Sequence, residues 1–297
     1  MNKVNLTIFS NFFIDNNERY QRMVDSFNSF KNYYPEEWII NIRGRFKYKA
    51  GEFLKKELDT KLNLFYLESR RGWINDSRFI VKNIKSEFVF YWVEDHILIS
   101  TIKDLQNSII EMKKFKADQL LYSFYTKNII ERYSIVKPDK VGKFITTTIL
   151  DKENCKKIRD KLNSDYYYTY CPSIMTKNFF LEVLNSNKPY LKRWPRHLPF
   201  DFEKKSKDYL KPIIINSLPN RELFVSIDDD RGEGGYSLIS RGLYPNRISR
   251  NKLLIDEYEF MSDKHNIKNR LKKFTYLRII YIFLKRIIYT INVFFNK

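Results

Sequence analysis

Glu94-Asp95-His96 closes the apolar run Phe88–Trp92. Three consecutive polar side chains at the end of a buried segment cost free energy unless something uses them. In an extended segment, the Glu94 carboxylate and the His96 imidazole project from one side. Together they can hold one divalent cation, Mn²⁺ or Mg²⁺, which would neutralise a departing diphosphate. Arg71, Asn75 and Arg78 recur at helical spacing after Gly72. A helix N-terminus there offers free N–H groups and a positive dipole end to phosphate. In Pro199–Glu203, an extended backbone sets Phe200 and Phe202 on one side and Asp201 and Glu203 on the other. A second acidic triplet, Asp228-Asp229-Asp230, cannot be an EF-hand, because Glu233 stands where that loop needs glycine. It reads as a turn, or as a contributor behind a metal. Gly232-Glu233-Gly234-Gly235 has the freedom that a lid over a nucleotide needs, and Arg231 and Arg241 flank it within reach of phosphate.

Strands and helices must bring these residues together. Val4–Ser10, Trp38–Ile42, Leu62–Leu67 and Ser86–Val93 are short apolar strand candidates. Between them, Tyr20, Met23, Val24, Phe27 and Phe30 recur at helical spacing, as do Phe53, Leu54 and Leu58 and the residues from Trp73 to Lys85. Alternating strands and helices predict an α/β fold, a mostly parallel sheet with right-handed crossovers and helices on both faces. Ligands of such sheets bind beyond the carboxyl ends of the strands. That rule selects Ser10–Phe12, Arg43-Gly44, Arg70-Arg71-Gly72 and Glu94–His96. Further on, Thr101 and Asp104 suit a helix cap. Gln119–Tyr125 reads as a strand, 152–162 and 176–185 read as helices, and 194–242 reads as irregular.

The chain has 297 residues, 43% of them hydrophobic, enough for a full core. Two cysteines, Cys155 and Cys171, exclude a disulfide scaffold and a cysteine-rich zinc site. The net charge of +19 suits an anionic partner. After Asp263 the chain carries nine basic residues and no acidic one. From about Asn266, Arg278, Lys285 and Asn292 form one stripe on an otherwise apolar helical pattern, as in a helix lying in a headgroup plane. The N-terminus shows no signal-peptide pattern. The expectation is a cytoplasmic protein attached to the inner leaflet through 266–297. A nucleic-acid-binding protein is the alternative, though the basic tail is too apolar for a nucleic-acid arm.

This layout resembles the GT-A glycosyltransferases, whose nucleotide-binding half ends its fourth strand in a short acidic metal motif, usually Asp-x-Asp. Glu94-Asp95-His96 departs from that motif, so Asp95 takes the metal or the sugar if Glu94 and His96 are not the ligands. The resemblance covers residues 3–100 by layout and 194–245 by looser analogy. It implies a metal-dependent, inverting transfer from a nucleotide-sugar donor to a saccharide or lipid-linked acceptor in envelope polysaccharide synthesis. It also implies that Arg71, Asn75 and Arg78 contact the diphosphate, with Thr7, Ser10 and Arg43 beside the base and ribose. Asp201 or Glu203 takes the place of the general base. A donor half (1–100), an acceptor half (101–262) and a membrane tail (263–297) follow. An inactive membrane scaffold of the same fold is the third reading.

Overall fold

The computed structural model describes residues 4–58, 61–68, 72–82, 84–124, 135–162, 169–186, 211–229, 235–248 and 253. The chain divides into two compact units, Met1–Arg247 and Ile248–Lys297, so the expected boundary near residue 100 falls inside the first. The tail on which membrane attachment was expected lies outside the described residues.

Strands β1 (Leu6–Phe13), β2 (Glu37–Arg43), β3 (Leu62–Phe65) and β4 (Phe88–Tyr91) alternate with helices α1 (Asn17–Phe30), α2 (Lys47–Leu58) and α3 (Trp73–Ile80). There follow β5 (His96–Leu98), α4 (Ile102–Phe115), β6 (Gln119–Leu121), β7 (Ser123–Phe124), β8 (Lys140–Val141) and β9 (Ile145–Leu150). Then come α5 (Lys152–Leu162), β10 (Ser173–Thr176), α6 (Lys177–Asn185), β11 (Ile214–Pro219) and β12 (Phe224–Ser226). The large sheet has the order β3-β2-β1-β4-β10-β6-β11-β9-β8, and a small sheet runs β5-β12-β7.

The predicted α/β class and helices on both faces are present. The first four strands are parallel, and beyond β4 the sheet is mixed, with β10 antiparallel to both neighbours. Alternation decides which helix covers which face. Ile8 and Phe12 of β1, Trp38 and Ile40 of β2, and Phe88 and Phe90 of β4 join Met23, Phe27, Leu54 and Leu105 in one core beneath α1, α2 and α4. Phe9, Ile39, Val89 and Tyr91 face the other way, onto Trp73, Ile74, Ile158 and Phe180 of α3, α5 and α6. All eight residues of β1 are buried, as a strand covered on both faces requires. Strand order grows outward from β1 to β3, then returns to β4 on the other side of β1. Right-handed crossovers therefore put α3 on the face opposite α1 and α2, and the strand order reverses at the carboxyl ends of β1 and β4, where sheets of this kind form their ligand crevice.

Local signals hold at most helix starts. The Asn16 side chain accepts from Arg19 N at 2.9 Å, and Thr101 accepts from Asp104 N at 3.1 Å. Four boundaries differ from expectation. The helix expected to reach Lys85 ends at Ile80, and the strand expected over Gln119–Tyr125 divides into β6 and β7, which join different sheets. β11 and β12 lie inside the stretch expected to be irregular. Polar Asn216 and Ser217 and the closing Pro219 hide the strand pattern of β11, yet it is buried between β6 and β9.

Gly44 turns β2 into α2 at φ +96°, and a Cβ there would lie 2.4 Å from the Ile14 carbonyl oxygen. Gly44→Ala is expected to destabilise the protein by about 2 kcal/mol or more, read as a lower denaturant midpoint. An unchanged midpoint would refute this account of the turn.

Candidate functional site

The crevice is closed at its base by Ser10, whose hydroxyl donates to the Trp92 carbonyl at 2.8 Å, tying β1 to the end of β4. Beyond Trp92 the backbone does not remain extended, because Glu94 and Asp95 form a turn. The expectation that Glu94 and His96 act from one side rested on an extended segment, and the turn removes that basis. Glu94 instead lies 3.5 Å from Arg19 of α1. His96 is only 8% exposed, its ring meets the edge of Tyr122, and its Nδ1 lies 2.7 Å from Asp95 Oδ1. The imidazole thus orients Asp95, whose side chain keeps 30% of its surface open.

β12 returns antiparallel to β5, pairing Ser226 with His96, and Ile227 N donates to the Asp95 carbonyl at 2.7 Å. The chain therefore carries Asp228 and Asp229 back alongside Glu94 and Asp95. The two acidic motifs, more than a hundred residues apart in sequence, are one cluster. Asp230 lies outside the described residues.

Helix α1 supplies the counter-charge. Arg22, 3% exposed, donates to Glu18 at 2.9 Å and to Asp228 at 2.6 Å. Glu18 also accepts from Arg247 at 2.7 Å, and Arg19 pairs with Asp15 at 3.3 Å. Burial pushes the Glu18 carboxyl up, but hydrogen bonds and charges from Arg247 and Arg22 outweigh it and hold the group below its ordinary value. Burial likewise opposes the Arg22 charge, and the hydrogen bonds and charges of Asp228, Glu18 and Asp95 together outweigh it and raise its pKa. Among the described residues, no three His, Cys, Asp or Glu side chains gather into a metal-holding set. A cation that arrives with a diphosphate needs only one or two carboxylates, and the accessible Asp95 beside Glu94 fits that demand.

The opposite wall is a buried polar network; sequence reading selected Arg43 and the stretch that holds Asn11, and missed Asn41 and Ser77 as site residues. Asn11 Oδ1 accepts from Asn41 at 2.9 Å and from Arg43 Nε at 3.0 Å, while its amide donates to Ser77 at 2.9 Å. The Asn11 carbonyl accepts from the Trp73 indole at 3.1 Å. Asn41 in turn binds the backbone of Leu67 in both directions, at 3.0 and 2.7 Å. Asn11 and Asn41 interrupt apolar strands near their carboxyl ends, the same signal that singled out Glu94.

The remaining candidates scatter. Ser10 and Arg43 border the crevice, and Arg43 is 3% exposed, its guanidinium 5.6 Å from the Phe13 ring centroid. Thr7 sits at the amino end of β1, bonded to Glu37 at 2.9 Å and about 20 Å of strand from Phe13. Asn75 lies half-buried in the first turn of α3. Arg78 donates to the Leu184 carbonyl at 2.9 and 2.6 Å, pinning α3 to α6, and burial lowers its pKa. Arg241 pairs with Glu222 at 3.1 Å. Arg71, Asp201 and Glu203 lie outside the described residues.

No protein-family model and no curated protein sequence matches this chain. Among solved structures it is similar to S. aureus TarS residues 1–349, at 14% identity and TM-score 0.46 over 75% of this chain and 60% of that one. Against the complex of the same fragment with UDP-GlcNAc, the values are 14%, 0.47, 82% and 62%. Against a longer TarS structure they are 15%, 0.44, 75% and 36%. The chain thus spans about three-fifths of the TarS 1–349 fragment.

Because the folded state holds Glu18 below its ordinary value of 4.5, its contribution is complete above that value and is lost as pH falls through the folded one. Stability measured by chemical denaturation is expected to decline between about pH 5 and pH 3. Glu18→Gln should cost about 2 kcal/mol near neutrality and flatten that decline, since it leaves Arg247 without its counter-charge and Arg22 with Asp228 alone. An unchanged acid slope in the variant would show that the cluster is not tuned by α1.

Proposed function

We propose that this protein is a glycosyltransferase that binds a nucleotide-sugar in the crevice between β1 and β4 and passes the sugar to a saccharide or lipid-linked acceptor. The observation that carries the reading is the meeting of Glu94-Asp95 with Asp228-Asp229 at the strand-order reversal of an α/β sheet. S. aureus TarS has been crystallised with UDP and with UDP-GlcNAc, and the proposal for this chain stands on its own residues.

In this reading the crevice has two walls of different character. Asn11, Asn41 and Arg43 form a rigid polar wall suited to the planar and hydroxylated parts of a nucleoside. Because each side chain is locked by its neighbours, the wall meets the ligand without ordering cost. On the other wall, Glu94 and Asp95 would hold a divalent cation, Mn²⁺ or Mg²⁺, which would supply positive charge to stabilise the diphosphate as a leaving group. His96 keeps Asp95 aimed into the crevice through its Nδ1 contact. Arg19 and Arg22 balance the carboxylates while the site is empty of ligand charge. Asp201 or Glu203 supplies the general base that deprotonates the acceptor hydroxyl, giving inversion. Attachment through 266–297 to an anionic inner leaflet would bring the crevice to lipid-linked acceptors.

Thermal melting against a panel of nucleotide-sugars with Mn²⁺ is expected to show stabilisation by at least one donor, lost on chelation. Asp95→Asn should reduce donor turnover by about 100-fold or more while leaving the ligand-free melting point near wild type. Salt-sensitive stabilisation by oligonucleotides and by no nucleotide-sugar would replace this reading with a nucleic-acid-binding one. Donor binding without turnover would favour the inactive scaffold.

A further inference from the structure

At the other end of the small sheet from the acidic cluster lies a second concavity of about 380 Å³, lined among others by Lys103, Asn107, Ser108, Lys143, Phe144 and Arg221. Its three cations come from three separate segments. Lys103 belongs to the first turn of α4, Lys143 to the turn between β8 and β9, and Arg221 to the link from β11 to β12. One acid, Asp104, lines the concavity with them, and the acids around it have partners of their own. Asp104 accepts from Thr101 at 2.8 Å, and Glu222 accepts from Arg241 at 3.1 Å. Glu111 accepts from the backbone N–H groups of Lys143, Phe144 and Ile145 at 3.0, 2.7 and 2.8 Å. Among the described residues, none of the three cations has an acidic partner within ion-pair distance. Three positive charges against the single Asp104 carboxylate leave the concavity with an excess of positive charge, which a bound anion offsets.

The concavity is also held open. Asn220 staples its two turns together, its N–H donating to the Phe144 carbonyl at 2.8 Å and its side-chain amide to the Gly142 carbonyl at 2.8 Å. Its Oδ1 accepts from Thr146 at 2.8 Å. Gly142 permits the close approach of Glu111, since a Cβ there would lie 2.3 Å from that carboxyl carbon. Lys143 and Arg221 are therefore presented from fixed backbone, which lowers the cost of ordering them around a ligand. Asn107 adds a neutral amide donor beside the cations, whereas the Ser108 hydroxyl donates to the Asp104 carbonyl at 2.9 Å.

We propose that this concavity is a phosphate-binding site, separate from the donor crevice, that grips a phosphate group carried by the acceptor. The identification of the ligand as acceptor rests on the transferase reading, while the binding of phosphate does not. β12 links the two places, from Leu223 beside the concavity to Asp228 at the acidic cluster, over about 15 Å. A phosphate held there would place a neighbouring part of the same molecule near the crevice.

The test is thermal melting of the full chain titrated with inorganic phosphate, with ionic strength held constant by chloride. Wild type is expected to show saturable stabilisation. Arg221→Gln and Lys143→Gln should each weaken it by about tenfold, since each removes one charge-assisted contact. Lys55→Gln and Lys157→Gln, which remove the same charge from outlying ion pairs, should leave it unchanged. Equal responses in all five proteins, or a response that never saturates, would overturn the proposal. Asp95→Asn should keep the phosphate response even where donor binding is lost, so failure of one site is distinguishable from failure of the other. Displacement of phosphate by soluble glycerol phosphate would assign the group to a soluble acceptor. Displacement by phosphatidylglycerol vesicles alone would assign it to a lipid headgroup.

Discussion

A parallel sheet built with right-handed crossovers can grow in both directions from one strand only if its helices change face. In this protein that strand is β1, buried along its whole length between β2 and β4. Helices α1 and α2 cover one face while the sheet grows toward β3, and α3 covers the other when it returns to β4. The reversal sets the carboxyl ends of β1 and β4 side by side, one followed by α1 and the other by the turn into β5.

Uncovered strand ends would be costly without partners, and the chain supplies them in two different ways. On the β1 and β2 side, Asn11, Asn41, Arg43, Ser77 and Trp73 satisfy one another, a closed network in which each hydrogen bond fixes the next. On the β4 side the partners are charges. Arg22 lies between Glu18 and Asp228, and the arrangement tolerates burial because each ion has a counter-ion in contact. The first wall is a stiff hydrogen-bonded network around the Arg43 guanidinium, whereas the second is a balance of paired charges that an incoming diphosphate and cation can redistribute.

The first half of the fold was legible from periodicity. Short apolar runs at 38–42 and 86–93 and helical spacing in α1 and α2 survive in the structure because they describe one element's own two faces. Less of the second half was readable. β11 carries buried Asn216 and Ser217, and polar residues in a central strand break the pattern on which recognition depends. The turn at Glu94-Asp95 was equally hidden, since nothing in the local sequence forbids the strand from continuing to His96.

By itself the sequence determined the α/β class, the first four strands and the acidic end of β4, all properties of contiguous residues. It also contained Asp228-Asp229, but as a late triplet with no visible relation to Glu94-Asp95. Only the tertiary structure decided that they form one cluster, through the pairing of Ser226 with His96 and a salt bridge from Asp228 to Arg22, 206 residues away. It decided too that Thr7 and Arg78 serve local bonds to Glu37 and to the end of α6. Proximity between distant segments is set by the packing of whole sheets and helices, and no window of neighbouring residues encodes it.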